Sequence, residues 1–474
     1  MVSTVVLEIY VHTTALISAC AIGMRRKLRQ IAIMLFGSER SSPWLRLGPE
    51  EGGNSRGLQR LRLLLAILFI YPVCPLALQG CAGLAVAEST ASVDRQLPAN
   101  LPMTIRTLDA DHQFSQVSSI TVAGRLRVLH PGEPLNILAL SGGGADGAFG
   151  AGAVAGLTRT GSRPDFAVVT GVSVGALVAP YAFLGPAWDA GLLEVFTSGA
   201  GENLLQSRGL GVIFGSSLYR GKPLRQLVDA YLSDTMIQAI AREADKGRLL
   251  LVATTDVVTG MPVVWDLGAI AKNGGPNART LFRDVLVASA SVPGMFPPVM
   301  IRVNSNGAPH DEAHVDGSAT VPLFVPPAFM QTPSEARYGT NHTAVYVIIN
   351  GSLGEAPQAT RLTTRAILTR SIQAGLNHML LTTLELTAAN TQLRGATLQY
   401  SAVPGAHPRG GAYDFRADTM RPLFRYAYEC AEAGRLWTPF GRTGEGSATT
   451  GSITETLTDP CPAEDASIRY FASR

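Results

Sequence analysis

The sequence predicts an α/β fold with a mainly parallel central sheet. Three observations carry that expectation: apolar runs of strand length at 135–140, 166–170 and 343–349, helical apolar spacing between and after them, and glycine-rich turns joining the two. Composition agrees. The chain has 474 residues, 46% hydrophobic and only 16% charged, which suits a large core and excludes wholesale disorder.

The elements follow in order. Residues 135–140 (LNILAL) lie between Pro134 and Ser141 and read as a strand covered on both faces. A glycine turn at 142–147 leads into a small-residue helix at 148–157. Residues 166–170 are the next buried strand and 174–183 the next helix. Strand, helix, strand and helix at this spacing imply right-handed parallel crossovers. Leu224, Leu227, Val228, Tyr231 and Leu232 give helical spacing across 224–241. Strands are expected at 249–254 and 263–266, and a helix at 281–290. A long helix spans 361–390, with Ile367, Leu368, Ile372, Leu376, Met379, Leu380 and Leu384 on its apolar positions. The polar, aperiodic stretch 81–134 reads as a tether. Residues 351–474 read as a helical extension with a Gly/Ser/Thr-rich tail, leaving 135–350 as the central domain.

Charge separates a leader from the body. Residues 1–62 hold nine basic and four acidic residues, leaving 30 basic and 32 acidic for the rest. A body of that balance has no nucleic-acid footprint. Arg56, Arg60 and Arg62 precede an apolar run at 63–73, and Leu78-Gln79-Gly80-Cys81 follows. A basic start, a short apolar core and a small residue before the cut describe a secretory signal over 56–80. Leu and Gly at those positions before Cys81 resemble a bacterial lipobox, which implies lipidation of Cys81 and an envelope location, with plain secretion as the alternative. Residues 1–55 are a leader of uncertain status. Once the leader is removed, Cys430 and Cys461 remain as an even pair. In an oxidising compartment a disulfide between them and two separate buried thiols both stay open.

Three motifs carry chemistry. Ser141-Gly142-Gly143-Gly144-Ala145-Asp146-Gly147 satisfies G-x-G-x-x-G between strand and helix. A dinucleotide site would need an acidic residue at the end of the second strand, where this chain has a serine turn instead. That turn is Gly171-Val172-Ser173-Val174-Gly175. A nucleophile on a tight strand-to-helix turn stands free above the sheet, and glycines two residues either side avoid backbone collisions. The glycine loop then has a role: the backbone N–H groups of Gly142, Gly143 and Gly144 can hold the oxyanion of an acyl intermediate. The third motif is His314-Val315-Asp316-Gly317-Ser318, in which Asp316 can serve as base if close and desolvated.

The glycine loop, the serine elbow about thirty residues on and the later Asp-Gly together resemble the patatin-like phospholipase family, over roughly 135–327. The stretches 246–255 (KGRLLLVATT), Val264-Trp265-Asp266 and 288–298 (ASASVPGMFPP) have the look of its bacterial members. The resemblance implies a three-layer α/β/α fold and a Ser173–Asp316 dyad without histidine. It also implies an oxyanion hole at Gly142–Gly144, and hydrolysis of lipid acyl esters through an acyl-enzyme. Two departures stand out. Asp146 occupies a position where many members carry Arg or Lys, and Ser318 one where many carry Gly or Ala.

Other readings stay open on sequence alone. A Ser–Asp–His triad of the α/β-hydrolase type would recruit His342 or His378, and His314 and Asp146 are candidates for a supporting shell. A lipoprotein that keeps the fold for binding alone is the non-enzymatic reading. The loop 292–298 suits either the wall of an acyl pocket or the core. No cofactor or metal is implied, since no His/Cys/Asp cluster has ligand spacing, so calcium independence is expected. Oligomeric state is not indicated.

Overall fold

The computed structural model describes residues 104–108, 114–129, 135–209, 215–305, 308–330, 343–353, 362–405, 407–408, 410–440 and 461. The leader, the signal segment and Cys81 lie outside the described residues.

The described elements are β1 (Thr104–Leu108), β2 (Phe114–Ser118), α1 (Ser119–Leu129), β3 (Leu135–Leu140), α2 (Gly147–Arg159), β4 (Val168–Val172), α3 (Val174–Leu184) and α4 (Asp189–Thr197). They continue with α5 (Lys222–Tyr231), α6 (Asp234–Asp245), β5 (Leu249–Asp256), β6 (Met261–Asp266), α7 (Leu267–Asn273), α8 (Gly275–Ser289), β7 (Val299–Ser305) and β8 (Ala308–Asp316). The last are β9 (Thr343–Ile349), α9 (Thr364–Leu393), β10 (Thr397–Ala402), α10 (Ala417–Glu432) and β11 (Thr438–Pro439).

One sheet runs β11-β10-β9-β3-β4-β5-β6-β1-β2, with β8 also paired to β5 and β7 to β8. Strands β10, β9, β3, β4 and β5 are mutually parallel, and the flanking pairings β5–β6 and β10–β11 are antiparallel. The strands are apolar because both faces are covered. Along β3, Leu138 and Leu140 enter one core while Ile137 and Ala139 enter the other, as side-chain alternation requires. Helices α2, α3, α4, α8 and α10 build the first core; α1, the short turn Pro327–Met330 and part of α9 build the second. That is the expected α/β/α arrangement.

Close packing explains the glycines of α2. A Cβ on Gly156 would stand 2.5 Å from Tyr428 O, and one on Gly152 would overlap Phe424 O, so only glycine lets α10 approach this closely. Cys430 on α10 is joined to Cys461 by a disulfide, with Cα atoms 5.5 Å apart.

Several boundaries differ from expectation. Residues 104–129 do not behave as a tether: β1 and β2 join the sheet and Ile105, Val122 and Leu126 are buried in its second core. The helix expected over 224–241 is two, because Ser233 caps a new start by accepting from Met236 N–H. Strand β4 ends two residues later than expected, at the serine turn itself. The extension after 350 supplies β10 and α10 to the sheet and first core, so it is not peripheral. Among the described residues no helix is long and apolar enough to cross a membrane.

Candidate active site

Ser173 sits between β4 and α3 with φ 55° and ψ −125°, the sole non-glycine with positive φ among the described residues. Such a backbone costs about 1–3 kcal/mol and persists only where its surroundings over-determine it. They do. A Cβ on Gly171 would lie 2.6 Å from Gly175 O, and one on Gly175 would lie 2.6 Å from Ser141 O. The Ser173 N–H donates to Ser289 Oγ at 3.0 Å, and that hydroxyl donates to Ala253 O at 2.7 Å. The C-terminal end of α8 thereby holds the turn against β5.

Asp316 meets the nucleophile from the end of β8. Ser173 Oγ donates to Asp316 Oδ2 at 2.5 Å, and Asp316 Oδ1 accepts from Ser318 N–H at 2.8 Å. The Asp316 backbone is fixed too: its N–H donates to Ser291 O at 2.9 Å, and Thr255 Oγ1 donates to its carbonyl at 3.0 Å. Glycine must follow, because a Cβ on Gly317 would lie 2.5 Å from Ala253 O. Both side chains are nearly enclosed, Ser173 at 5% and Asp316 at 2% exposure. Burial pushes the Asp316 carboxyl up to about 6, against the opposing hydrogen bonds from Ser173 and Ser318.

The glycine loop runs past the same hydroxyl. Gly142 N–H donates to Pro322 O at 3.1 Å and Ala145 N–H to Ala412 O at 2.8 Å, while the Gly143 and Gly144 amides have no acceptor among the described residues. A Cβ on Gly142 would stand 3.2 Å from Ser173 Cβ, which places the loop against the nucleophile. Asn350, immediately after β9, clamps the loop. Its N–H donates to Ser141 Oγ at 2.9 Å, its Nδ2 donates to Ser141 O at 2.7 Å, and its Oδ1 accepts from Gly150 N–H at 3.0 Å. Tyr413 lies near enough to Asp316 for that carboxylate to raise its phenol pKa, after the larger effect of burial. Asn350, Ser289, Ala412 and Tyr413 were not singled out from sequence. An Asn closing a buried strand was the available signal for the first; a single chain offers none for the last two.

His314 belongs elsewhere. It shares a face of β8 with Asp316, as an extended segment requires, yet its ring is fully buried and bonded away from the dyad. Trp265 Nε1–H donates to Thr254 Oγ1 at 2.8 Å, and Thr254 Oγ1 lies 3.0 Å from His314 Nδ1. Nε2–H of His314 donates to Glu312 Oε2 at 3.0 Å, and in the neutral imidazole Nδ1 accepts from the Thr254 hydroxyl. Arg106 completes the chain with a 2.6 Å bond to the same oxygen. Burial alone would raise the Glu312 carboxyl; the bonds from His314 and Arg106 outweigh it and hold it at about 2. The expectation that His314 supports the dyad directly is corrected: its partners are structural. His378 is exposed on α9 and His342 lies outside the described residues. No described histidine bonds to Ser173 or Asp316. Asp146 is buried at the start of α2 and makes no capping bond with its side chain.

Of loop 292–298, Phe296 is buried in the first core with its ring centroid 6.4 Å from that of Tyr219, while Pro293 and Gly294 are exposed. A small apolar cleft lies between α3, α5 and α8, lined by Leu177, Pro180, Tyr181, Leu227, Tyr231 and Leu286 among others. Among the described residues no group of three or more His, Cys, Asp or Glu could hold a metal.

Residues 138–328 match the model of the patatin-like phospholipase family. That match is to the central part of the chain, and the glycine loop, Ser173 and Asp316 all lie within it. Among solved structures, VipD from Legionella pneumophila is 10% identical, with 74% of this chain and 73% of that one covered at a TM-score of 0.32. Human GIVD cytosolic phospholipase A2 is 12% identical, with 61% and 53% covered at a TM-score of 0.29. This chain thus spans about half the length of the latter. Comparison with curated proteins gives no match. The family match supports lipid hydrolysis as the activity. The matched patatin-like segment ends before Asn350, Ala412 and Tyr413, so chain beyond it completes the site.

Proposed function

We propose that the protein is a serine acyl hydrolase of lipids, of phospholipase A or lysophospholipase type, working through Ser173 and Asp316 alone. The observation that carries this reading is the 2.5 Å Ser173–Asp316 hydrogen bond on a strained elbow. Beside it stand the acceptor-free amides of Gly143 and Gly144. Asp316 takes the Ser173 proton as Oγ attacks the ester carbonyl, and the two amides stabilise the resulting oxyanion. Collapse expels the alcohol, which takes the proton back from Asp316 and leaves the acyl group on Ser173. Water then attacks the acyl-enzyme, its proton passing to Asp316, and the fatty acid leaves with Ser173 restored.

A fluorophosphonate probe followed by peptide mapping tests this. Labelling at Ser173, absent in Ser173→Ala, supports the enzyme; a folded protein that takes no label supports the binding-only lipoprotein. No histidine is needed, so turnover survives His342→Ala and His378→Ala. Turnover in excess chelator measures the proposed calcium independence. The proposed envelope anchor rests on the 56–81 pattern alone, and mass spectrometry of the mature N-terminus checks for a diacylated Cys81.

A further inference from the structure

Ser318 follows the Asp316-Gly317 turn, directly beside the proposed base. Its backbone N–H is committed to Asp316 Oδ1 at 2.8 Å. Its hydroxyl is not committed. The Oγ is shielded from solvent and has no hydrogen-bond partner among the described residues. It lies beside the Asp316 carboxylate, close enough to help hold that pKa down, yet outside hydrogen-bonding geometry with it. A buried hydroxyl without a partner costs free energy that alanine would avoid. Its place is also specific: a Cβ on Gly142 would overlap Ser318 Oγ and stand 3.2 Å from Ser173 Cβ. The hydroxyl and the nucleophile therefore border the same small volume, with Asp316 on its edge.

We propose that Ser318 orients the water that hydrolyses the acyl-enzyme. This rests on the Ser173–Asp316 reading and adds the group that reading lacks. Once Ser173 is acylated its proton is gone, and Asp316 Oδ2 is free to accept from water. A water held by one hydrogen still rotates about that bond. Its second hydrogen, given to Ser318 Oγ, fixes the remaining lone pair toward the acyl carbon. As the new C–O bond forms, one water proton passes to Asp316. The tetrahedral carbon then expels Ser173 Oγ, which recovers that proton, and the acid is released carrying the hydrogen that Ser318 had held. An alcohol acceptor has one O–H hydrogen, which goes to Asp316, so it has no use for Ser318. The side chain thus selects water over alcohols in the second half-reaction.

The test uses the full chain, a p-nitrophenyl ester and added methanol. In Ser318→Ala the acylation burst and the rate of fluorophosphonate labelling match the parent. The ratio of methyl ester to free acid rises several-fold, up to about 10²-fold for a water misplaced by about 1 Å. Ser318→Gly reproduces the shift if the hydroxyl is the cause. A product ratio at the parent value overturns the proposal, as does a burst slowed in step with turnover, which places Ser318 in acylation or in the fold. The ratio reports the water step whichever step limits the overall rate. Absence of Ser173 labelling in the parent sinks the dyad reading and this one together. Labelling with an unchanged ratio sinks this one alone.

Discussion

Asp316 and Glu312 are two buried carboxylates on one face of β8, and the molecule drives them in opposite directions. Glu312 meets Arg106 and the Nε2–H of His314, and is held at about 2. Among the described residues Asp316 meets no cation; a hydroxyl and a backbone amide are its hydrogen-bonding partners, and burial lifts it to about 6. One strand therefore carries a carboxylate held ionised by its partners and, one turn of the pleat beyond His314, the carboxylate proposed as the base. What separates them is the company each keeps in the same low-dielectric interior.

Removing the base is the largest expected effect. Asp316→Asn should lower ester turnover by about 10³-fold or more while Glu312→Gln leaves most of it, measured as kcat/KM on one substrate. Equal losses would break the contrast. The structural carboxylate should dominate stability instead: Arg106→Ala strands a buried Glu312 charge and should cost about 3–5 kcal/mol in urea unfolding. A cost under about 1 kcal/mol would show that the network is relaxed in solution.

Stability against pH sharpens the comparison further. The folded pKa of Asp316 lies above its unfolded value, so the stability it contributes is complete below about pH 4 and is lost as pH rises through about 6. Asp316→Asn does not titrate, and should unfold about 3 kcal/mol less readily than the parent at pH 8, with the gain vanishing near pH 4. Glu312 has the opposite sign: its contribution is present above about pH 4.5 and disappears as pH falls toward 2. A stabilised but inactive Asp316→Asn would be direct evidence that function is held at the expense of the fold. The smallest effect is the rate profile. kcat/KM should climb about tenfold per pH unit below about pH 6 and flatten above it, as Asp316 loses its proton. A limb centred near 7 and abolished in a histidine variant would point back to a triad.

Ser173, Asp316 and the glycine loop were legible because each needs a local backbone shape that only certain residues permit. Gly171, Gly175 and Gly317 are glycines for steric reasons that act within a few residues or against an adjacent strand, and such constraints leave a motif. Strand β3 and strand β9 were legible at their boundaries because burial on both faces writes a continuous apolar run. Strand β8 was not, since Asp311, Glu312 and His314 interrupt the run, and Arg106 and Thr254, the partners of Glu312 and His314, come from β1 and β5. Residues 104–129 looked like a tether for the same reason: short, half-polar elements acquire their place from the sheet they join.

By itself the sequence marked the candidates: a serine on a glycine-flanked turn, an aspartate before a glycine and a glycine loop able to approach an ester closely. Tertiary structure decided the electrostatics and the assignments that depend on it. The surroundings of each buried carboxylate, the partners of His314 and the clamp on the glycine loop are set by groups as far as 206 and 209 residues away in the chain. Those groups leave no local pattern, because a pKa or an empty donor is a property of surroundings, and only folding brings the surroundings together.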